Sequence, residues 1–273
     1  MAVPYKAPVK DIVFGYEVID SYNVLNKISA FSDFSEDIVV PTMEECAKFS
    51  EEVLAPINAI GDQQGATIKD GVVTMPEEFV DAYKKFAEAG WASISLPSDI
   101  GGGGMPITLS GGTLEILSTA NLAFGLAPGL SAGAISAINF HGNQEQKDKF
   151  LPKLVSGEWT GTMNLSEPQS GSDLGTITTK AEPQEDGSYK ITGTKVWITF
   201  GEHNMTENII HLVLAKVPGS PEGTKGISMF IVPKYIVNDD GSIGDSNNVS
   251  CISIEEKLGI HASPTCVMEY DGS

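Results

Sequence analysis

The sequence predicts an α+β chain in two parts: an all-helical stretch up to residue 157, then an antiparallel β-barrel or sandwich over residues 158–273. Two observations carry this. Apolar residues recur at three- and four-residue steps before Gly157 and at two-residue steps after it. Capping and stop signals punctuate the first part, whereas Asp186-Gly187, Thr192-Gly193 and Asp240-Gly241 read as turns in the second. The finer division is an N-terminal extension over 1–40, a helical domain over 41–157 and a β domain over 158–273.

The extension is weakly periodic and predicts an extended lead with one helix over 18–28. Thr42-Met43-Glu44-Glu45 has capping-box spacing and predicts a helix start, followed by Phe49, Val53, Leu54 and Ile57 on one face. Pro76 opens a helix over 77–89, with Tyr83 and Phe86 inward and Gly90 as its stop. Further helices are predicted over 109–120, 130–140 and 144–155. Small residues dominate 127–137, which either lets helices approach closely or leaves room for a ligand chain. Strands are predicted over 177–181, 189–191, 195–200, 209–215, 227–232 and 249–255. The run Gly101 to Gly104 follows no strand and opens no helix, so it reads as a flexible connection and not a dinucleotide fingerprint.

A formal net charge of −19 argues against nucleic acid or an anionic membrane as partner. All 17 basic residues are lysine, which leaves no guanidinium fork for phosphate; compositional bias is the simpler account of that deficit. No apolar run approaches the roughly 18 residues that span a bilayer. The first eleven residues lack the apolar core of a secretory signal. Cys46, Cys251 and Cys266 show no metal or redox spacing and are expected to be reduced, buried and inert, in a cytoplasmic protein. His141, His203, His211 and His261 are scattered, so no metal site is expected, and no nucleophile motif surrounds a Ser, Cys or His.

Chemistry concentrates in two segments. GTMNLSEPQSGSDLG, from Gly161 to Gly175, is rich in hydroxyls and turn formers and reads as a ligand-facing loop. KVWITFG, from Lys195 to Gly201, is β-branched and aromatic and reads as a strand. Together they make a flat aromatic wall with polar atoms at its edge, a surface that suits a planar heterocycle such as a flavin.

This pairing resembles the acyl-CoA dehydrogenase family, whose middle domain holds FAD with a Ser/Thr-Glu-Pro…Gly-Ser-Asp loop and a Trp-Ile-Thr strand. LPSDIGGGGMP, HGNQEQKDKFLPKLVSGEWTGTMNLSEP and KLGIHASPT extend the resemblance to roughly residues 40–273, with His261 where the family carries arginine. Asn164 and Thr176 stand where smaller residues are usual. The sequence, including the extension before Thr42, looks most like the branch acting on 3-methylmercaptopropionyl-CoA and similar thioesters.

The resemblance implies FAD as cofactor. Leu165 and Ser166 would offer backbone N–H and hydroxyl to the flavin's pyrimidine edge and N5 side, with Met163 as the preceding contact. Trp197 would shield the ring and Thr199 would place a hydroxyl near N5. Ser172 would lie beside the CoA and pyrophosphate groups, while Glu167 and Asp173 would tie down loop backbone. The implied reaction takes the α-proton and β-hydride from an acyl-CoA thioester, within fatty acid metabolism. The implied partners are an acceptor such as an electron-transfer flavoprotein and, at full length, further copies of the chain. No residue matches the family's glutamate base, which belongs to a C-terminal helical bundle without counterpart here. No catalytic residue is therefore assigned, and the 273 residues alone are expected to be inactive. Two alternatives stay open: a non-catalytic flavin- or acyl-CoA-binding protein, and an oxidase- or monooxygenase-like relative.

Overall fold

The computed structural model describes residues 4–273, so the first three residues of the N-terminal extension lie outside it. Helices α1 (Val9–Val18) and α2 (Ser21–Leu25) stand where one helix over 18–28 was expected. The chain breaks between them because Asp20 adopts φ 55, a left-handed geometry that does not continue an α-helix. Helix α3 (Glu36–Phe49) begins after Ser35 and not at Thr42. Thr42 lies inside it, with its hydroxyl donating to the Ile38 carbonyl at 2.7 Å. Without a break upstream, a capping-box spacing marks no start.

A π-helical turn, Ser50–Leu54, leads into α4 (Ala55–Gln64). A hairpin of β1 (Thr67–Lys69) and β2 (Val72–Thr74) then interrupts the helices unexpectedly. Its two-residue turn is Asp70-Gly71, both at positive φ, the strongest short hairpin signal a sequence offers. Helix α5 (Glu77–Glu88) follows Pro76 as predicted, buries Tyr83 and Phe86, and gives way to Gly90 at φ 77. The glycine run is pinned and not flexible: Gly103 N–H donates to Ser93 O and Gly104 N–H to Leu96 O, each at 2.9 Å. Glycine is required because a Cβ on Gly102 would sit 2.2 Å from the Leu96 carbonyl oxygen.

Helices α6 (Ile107–Ala120), α7 (Leu122–His141) and α8 (Gln144–Ser156) complete this part. Helix α7 is longer than the predicted 130–140. By length and composition it is apolar enough to cross a bilayer, contrary to the expectation that no run approaches that length. Here it packs as a core helix, burying Phe124, Ala134, Ile135 and Ile138. Helix α8 starts with a reciprocal capping box between Asn143 and Gln146.

The second part contains β3 (Trp159–Asn164), β4 (Lys180–Pro183), β5 (Tyr189–Thr199), β6 (Asn208–Lys216), β7 (Ile227–Pro233), β8 (Tyr235–Val237), β9 (Ile243–Ser246), β10 (Val249–Ile254) and β11 (Thr265–Asp271). One sheet takes the order β10-β11-β5-β4-β6-β3, with β7 also on β6. Pairing is antiparallel except that β3 runs parallel to β6, joined by a single parallel bridge between Lys180 and Lys216. The sheet is therefore mixed where wholly antiparallel pairing was expected. The β4–β5 hairpin intervenes and returns the chain alongside β3. Strand β5 runs straight through Thr192-Gly193, which is no turn; a Cβ on Gly193 would come 2.5 Å from Thr179 Oγ1.

Three apolar clusters hold the molecule together. One fills the helical part and reaches Phe200, Met205 and Ala262 of the second part. Another fills the sheet, including Ile191, Ile198, Val213 and Met268. The third joins α7 and α8 to β3 and β6 through Ile135, Ile138, Leu154, Trp159, Ile210 and Leu212. All three cysteines are buried and free.

Candidate functional site

Strand β3 carries the first half of the wall. Strand alternation gives Thr160, Thr162 and Asn164 to one face and Gly161 and Met163 to the other. On the polar face, Asn164 Nδ2 donates to Thr162 Oγ1 at 2.7 Å, Thr162 Oγ1 lies 2.7 Å from His211 Nδ1, and Tyr270 donates to Asn164 Oδ1 at 2.9 Å. Thr160 Oγ1 meets His203 Nε2 at 3.0 Å. Burial, with the Lys234 charge second, pushes both histidines down to about 3, so they are neutral hydrogen-bonding groups. On the other face Gly161 N–H donates to Ser131 Oγ at 3.0 Å, and a Cβ there would lie 2.5 Å from Ala134 Cβ. Of the two readings of the small residues over 127–137, this contact uses them for close approach. Met163 is half-buried and packs onto the third cluster.

The loop after β3 is anchored by Glu167, which is 4% exposed. Its Oε2 accepts from Gln169 Nε2, Thr178 N–H and Thr178 Oγ1 at 2.7–2.8 Å. Its Oε1 accepts from Thr179 N–H, Thr179 Oγ1 and Lys195 Nζ at 3.0, 2.5 and 2.9 Å. Burial raises the carboxyl's pKa, but these donors, Thr179 foremost, overcome it and hold the group at about 2. Burial pulls Lys195 downward against the pull of Glu167. The site's stability thus rests on the donors converging on Glu167 more than on the ion pair. Asp173 likewise accepts from Gly175 N–H at 2.9 Å.

Leu165 and Ser166 are half-buried at the start of this loop. The Leu165 carbonyl accepts from Lys195 Nζ at 3.0 Å and the Ser166 carbonyl from Val196 N–H at 2.9 Å. The loop is thereby stitched to β5 next to Trp197. Opposite, the β5–β11 register passes from Ile198–Cys266 to Lys195–Met268, so Val196 and Trp197 share Val267. This bulge sets Trp197 at φ 63 and leaves it 61% exposed. A tryptophan in left-handed backbone is a strained arrangement, and the bulge aims its side chain out of the sheet. Thr199 is half-buried and pairs with Thr265.

The structure thus brings Leu165 and Ser166 against the strand that carries Trp197 and Thr199. Met163 lies at the end of β3, a strand where the sequence was read as loop. Ser172 sits on an exposed turn and makes no contact with these residues through the bonds described. Cavities of about 840 and 620 Å³ lie elsewhere, beside the glycine run and between α7–α8 and β5–β7. The candidate site is an open wall and not an enclosed pocket. Among the described residues no group of three His, Cys, Asp or Glu has a metal-holding arrangement. Sequence reasoning missed Lys195, whose partners, the Leu165 carbonyl and the Glu167 carboxylate, meet it only on folding.

The acyl-CoA dehydrogenase N-terminal domain model matches residues 41–158, and the acyl-CoA dehydrogenase middle domain model matches residues 162–273. A 3-methylmercaptopropionyl-CoA dehydrogenase of Ruegeria pomeroyi is 45% identical over 98% of this chain and 46% of its own length. A butyryl-CoA dehydrogenase of Syntrophomonas wolfei is 38% identical over 97% of the chain and 44% of its own. The chain therefore spans less than half the length of these relatives. An acyl-CoA dehydrogenase of Bacillus anthracis, solved in complex with FAD, superposes with a TM-score of 0.69 at 27% identity, over 89% of this chain and 36% of that one. Two family domains in sequence, relatives at this identity and a shared fold lead to one conclusion: the chain belongs to the acyl-CoA dehydrogenase family.

Proposed function

We propose that this chain supplies the helical domain (41–157) and flavin-contacting β domain (158–273) of an FAD-dependent acyl-CoA dehydrogenase. The observation that supports it best is Trp197, turned outward at a strained bulge beside the stitched loop of Leu165 and Ser166. An exposed indole on the strand that also carries Thr199 and that binds the Ser166 carbonyl suits a planar, polar-edged ring. Met163, Leu165, Ser166, Trp197 and Thr199 are the residues that would hold FAD, and Ser172 would touch the CoA end of the substrate. Bound FAD supplies a hydride acceptor at N5 for the substrate's β-hydrogen as the α-proton leaves to a base.

This chain's own task is to shield one side of the site, orient the ring edge and exclude water. Its nearby carboxylates are already committed: Glu167 to its donors and Glu202 to Lys234 at 2.6 Å. No α-proton acceptor is therefore assigned within it, and the 273 residues alone are expected not to turn over. The substrate is proposed to be 3-methylmercaptopropionyl-CoA or a similar thioester, on the strength of the Ruegeria relative. An electron-transfer flavoprotein as acceptor, a homo-oligomer, a role in fatty acid metabolism and a cytoplasmic location belong to the same proposal. The test is a panel of saturated acyl-CoAs given to full-length, FAD-loaded protein with an artificial electron acceptor. Turnover supports the reading; flavin binding without turnover on any thioester points to a non-catalytic binder, and failure to bind FAD ends it.

A further inference from the structure

The peptide joining Leu165 to Ser166 is one rigid plane with its carbonyl and its N–H on opposite edges. Both carbonyls flanking Ser166 are held: Leu165 O by Lys195 Nζ at 3.0 Å and Ser166 O by Val196 N–H at 2.9 Å. The Ser166 N–H itself has no acceptor among the described residues. Lys195 is fully buried, and its charge is balanced by Glu167 Oε1 at 2.9 Å. Anchoring the loop does not require this lysine, because Gln169, Thr178 and Thr179 already supply five bonds to Glu167. The bond from Lys195 to Leu165 is separate and acts on the peptide that carries the unpartnered N–H.

We infer that Lys195 is a positioning residue for the cofactor: by binding the Leu165 carbonyl it fixes the direction of the Ser166 N–H and strengthens it as a donor to the flavin edge. An ammonium on a carbonyl draws electron density out of the amide, and in a dry site this polarisation passes along the hydrogen-bonded chain. The carboxylate of Glu167 is the counter-ion that keeps the buried ammonium charged. This inference rests on the FAD reading above.

Lys195→Met alone leaves Glu167 charged and buried and risks unfolding the loop, so the neutral pair Lys195→Met with Glu167→Gln is the discriminating variant, and Glu167→Gln alone is its control. FAD affinity by fluorescence titration and the midpoint potential are measured on full-length protein. The amide resonance of Ser166 is measured on the 273-residue chain without FAD. The neutral pair is expected to bind FAD about tenfold more weakly, the cost of one weakened donor. Its flavin potential moves to more negative values and its Ser166 amide proton moves upfield, while Glu167→Gln, which loses the counter-ion but keeps a lysine N–H on the Leu165 carbonyl, moves the same way by less than half as much. An unchanged potential, affinity and Ser166 resonance in the neutral pair would overturn the inference. So would equal shifts in Glu167→Gln, because the carboxylate and not the ammonium would then be responsible. Wild-type protein that binds no FAD refutes the cofactor reading, and the Ser166 resonance still decides the action of Lys195.

Discussion

Trp197 combines positive φ with high exposure, whereas Phe200, also at positive φ, is buried. Removal of Trp197 is expected to separate stability from binding. Trp197→Gly relieves the left-handed strain, worth about 1 kcal/mol, and forfeits little packing. Thermal melts should show Tm unchanged or raised, while FAD titration shows weaker retention; a marked drop in Tm would mean that the indole packs into the fold. Glu167 gives a second prediction at this scale. Its folded pKa is depressed from 4.5 to about 2, so its stabilisation is complete above pH 4.5 and lost as pH falls towards 2. The linkage amounts to about 3 kcal/mol. Glu167→Gln should lower stability at neutral pH by a similar amount and flatten the unfolding free energy between pH 4.5 and 2, as read from denaturant titrations across that range.

Among the elements, β3 sits where both domains meet, and its seam with α7 is set by Gly161. A methyl group there would lie 2.5 Å from Ala134 Cβ. Gly161→Ala should therefore cost about 1–3 kcal/mol by overpacking, and Ala134→Gly in the same chain should recover part of that loss. Additive losses in the double variant would show that the two positions do not touch. Helix α5 was legible in the sequence because its start and stop, Pro76 and Gly90, are local chemistry; the Asn143–Gln146 cap of α8 is as local but went unread. Strand β3 was not legible, because its inward residues Thr160, Thr162 and Asn164 are polar and satisfied by partners distant in the chain. The turn expected at Thr192-Gly193 failed for a similar reason, since that glycine answers to Thr179 and not to a change of direction. The wall of Leu165, Ser166, Trp197 and Thr199 was readable as a motif. The lysine that joins its halves was not, because its partners are a carbonyl and a carboxylate brought close only by folding.

At the scale of the whole molecule, two fully buried neutral histidines shape the acid response. Their folded pKa values near 3 lie below the ordinary 6.5, so both are protonated on unfolding before they are protonated in place. Stability should be intact above pH 6.5 and fall below it, with uptake of about two protons per unfolding event near pH 5, a slope of about 2.7 kcal/mol per pH unit. Denaturation curves collected from pH 7 to pH 5 measure this directly, and a flat profile would show the imidazoles to be hydrated. The order of synthesis matters at this scale too. Strand β11 follows the other described strands of the sheet in the chain, yet it inserts between β10 and β5, and the bulge in β5 that turns Trp197 outward forms against it. While the chain emerges from a ribosome, one edge of β5 therefore stands open until residues 265–271 arrive, inviting wrong pairing in the interval. The aromatic wall is completed by that insertion, so a nascent chain short of it lacks the surface proposed to hold a flavin.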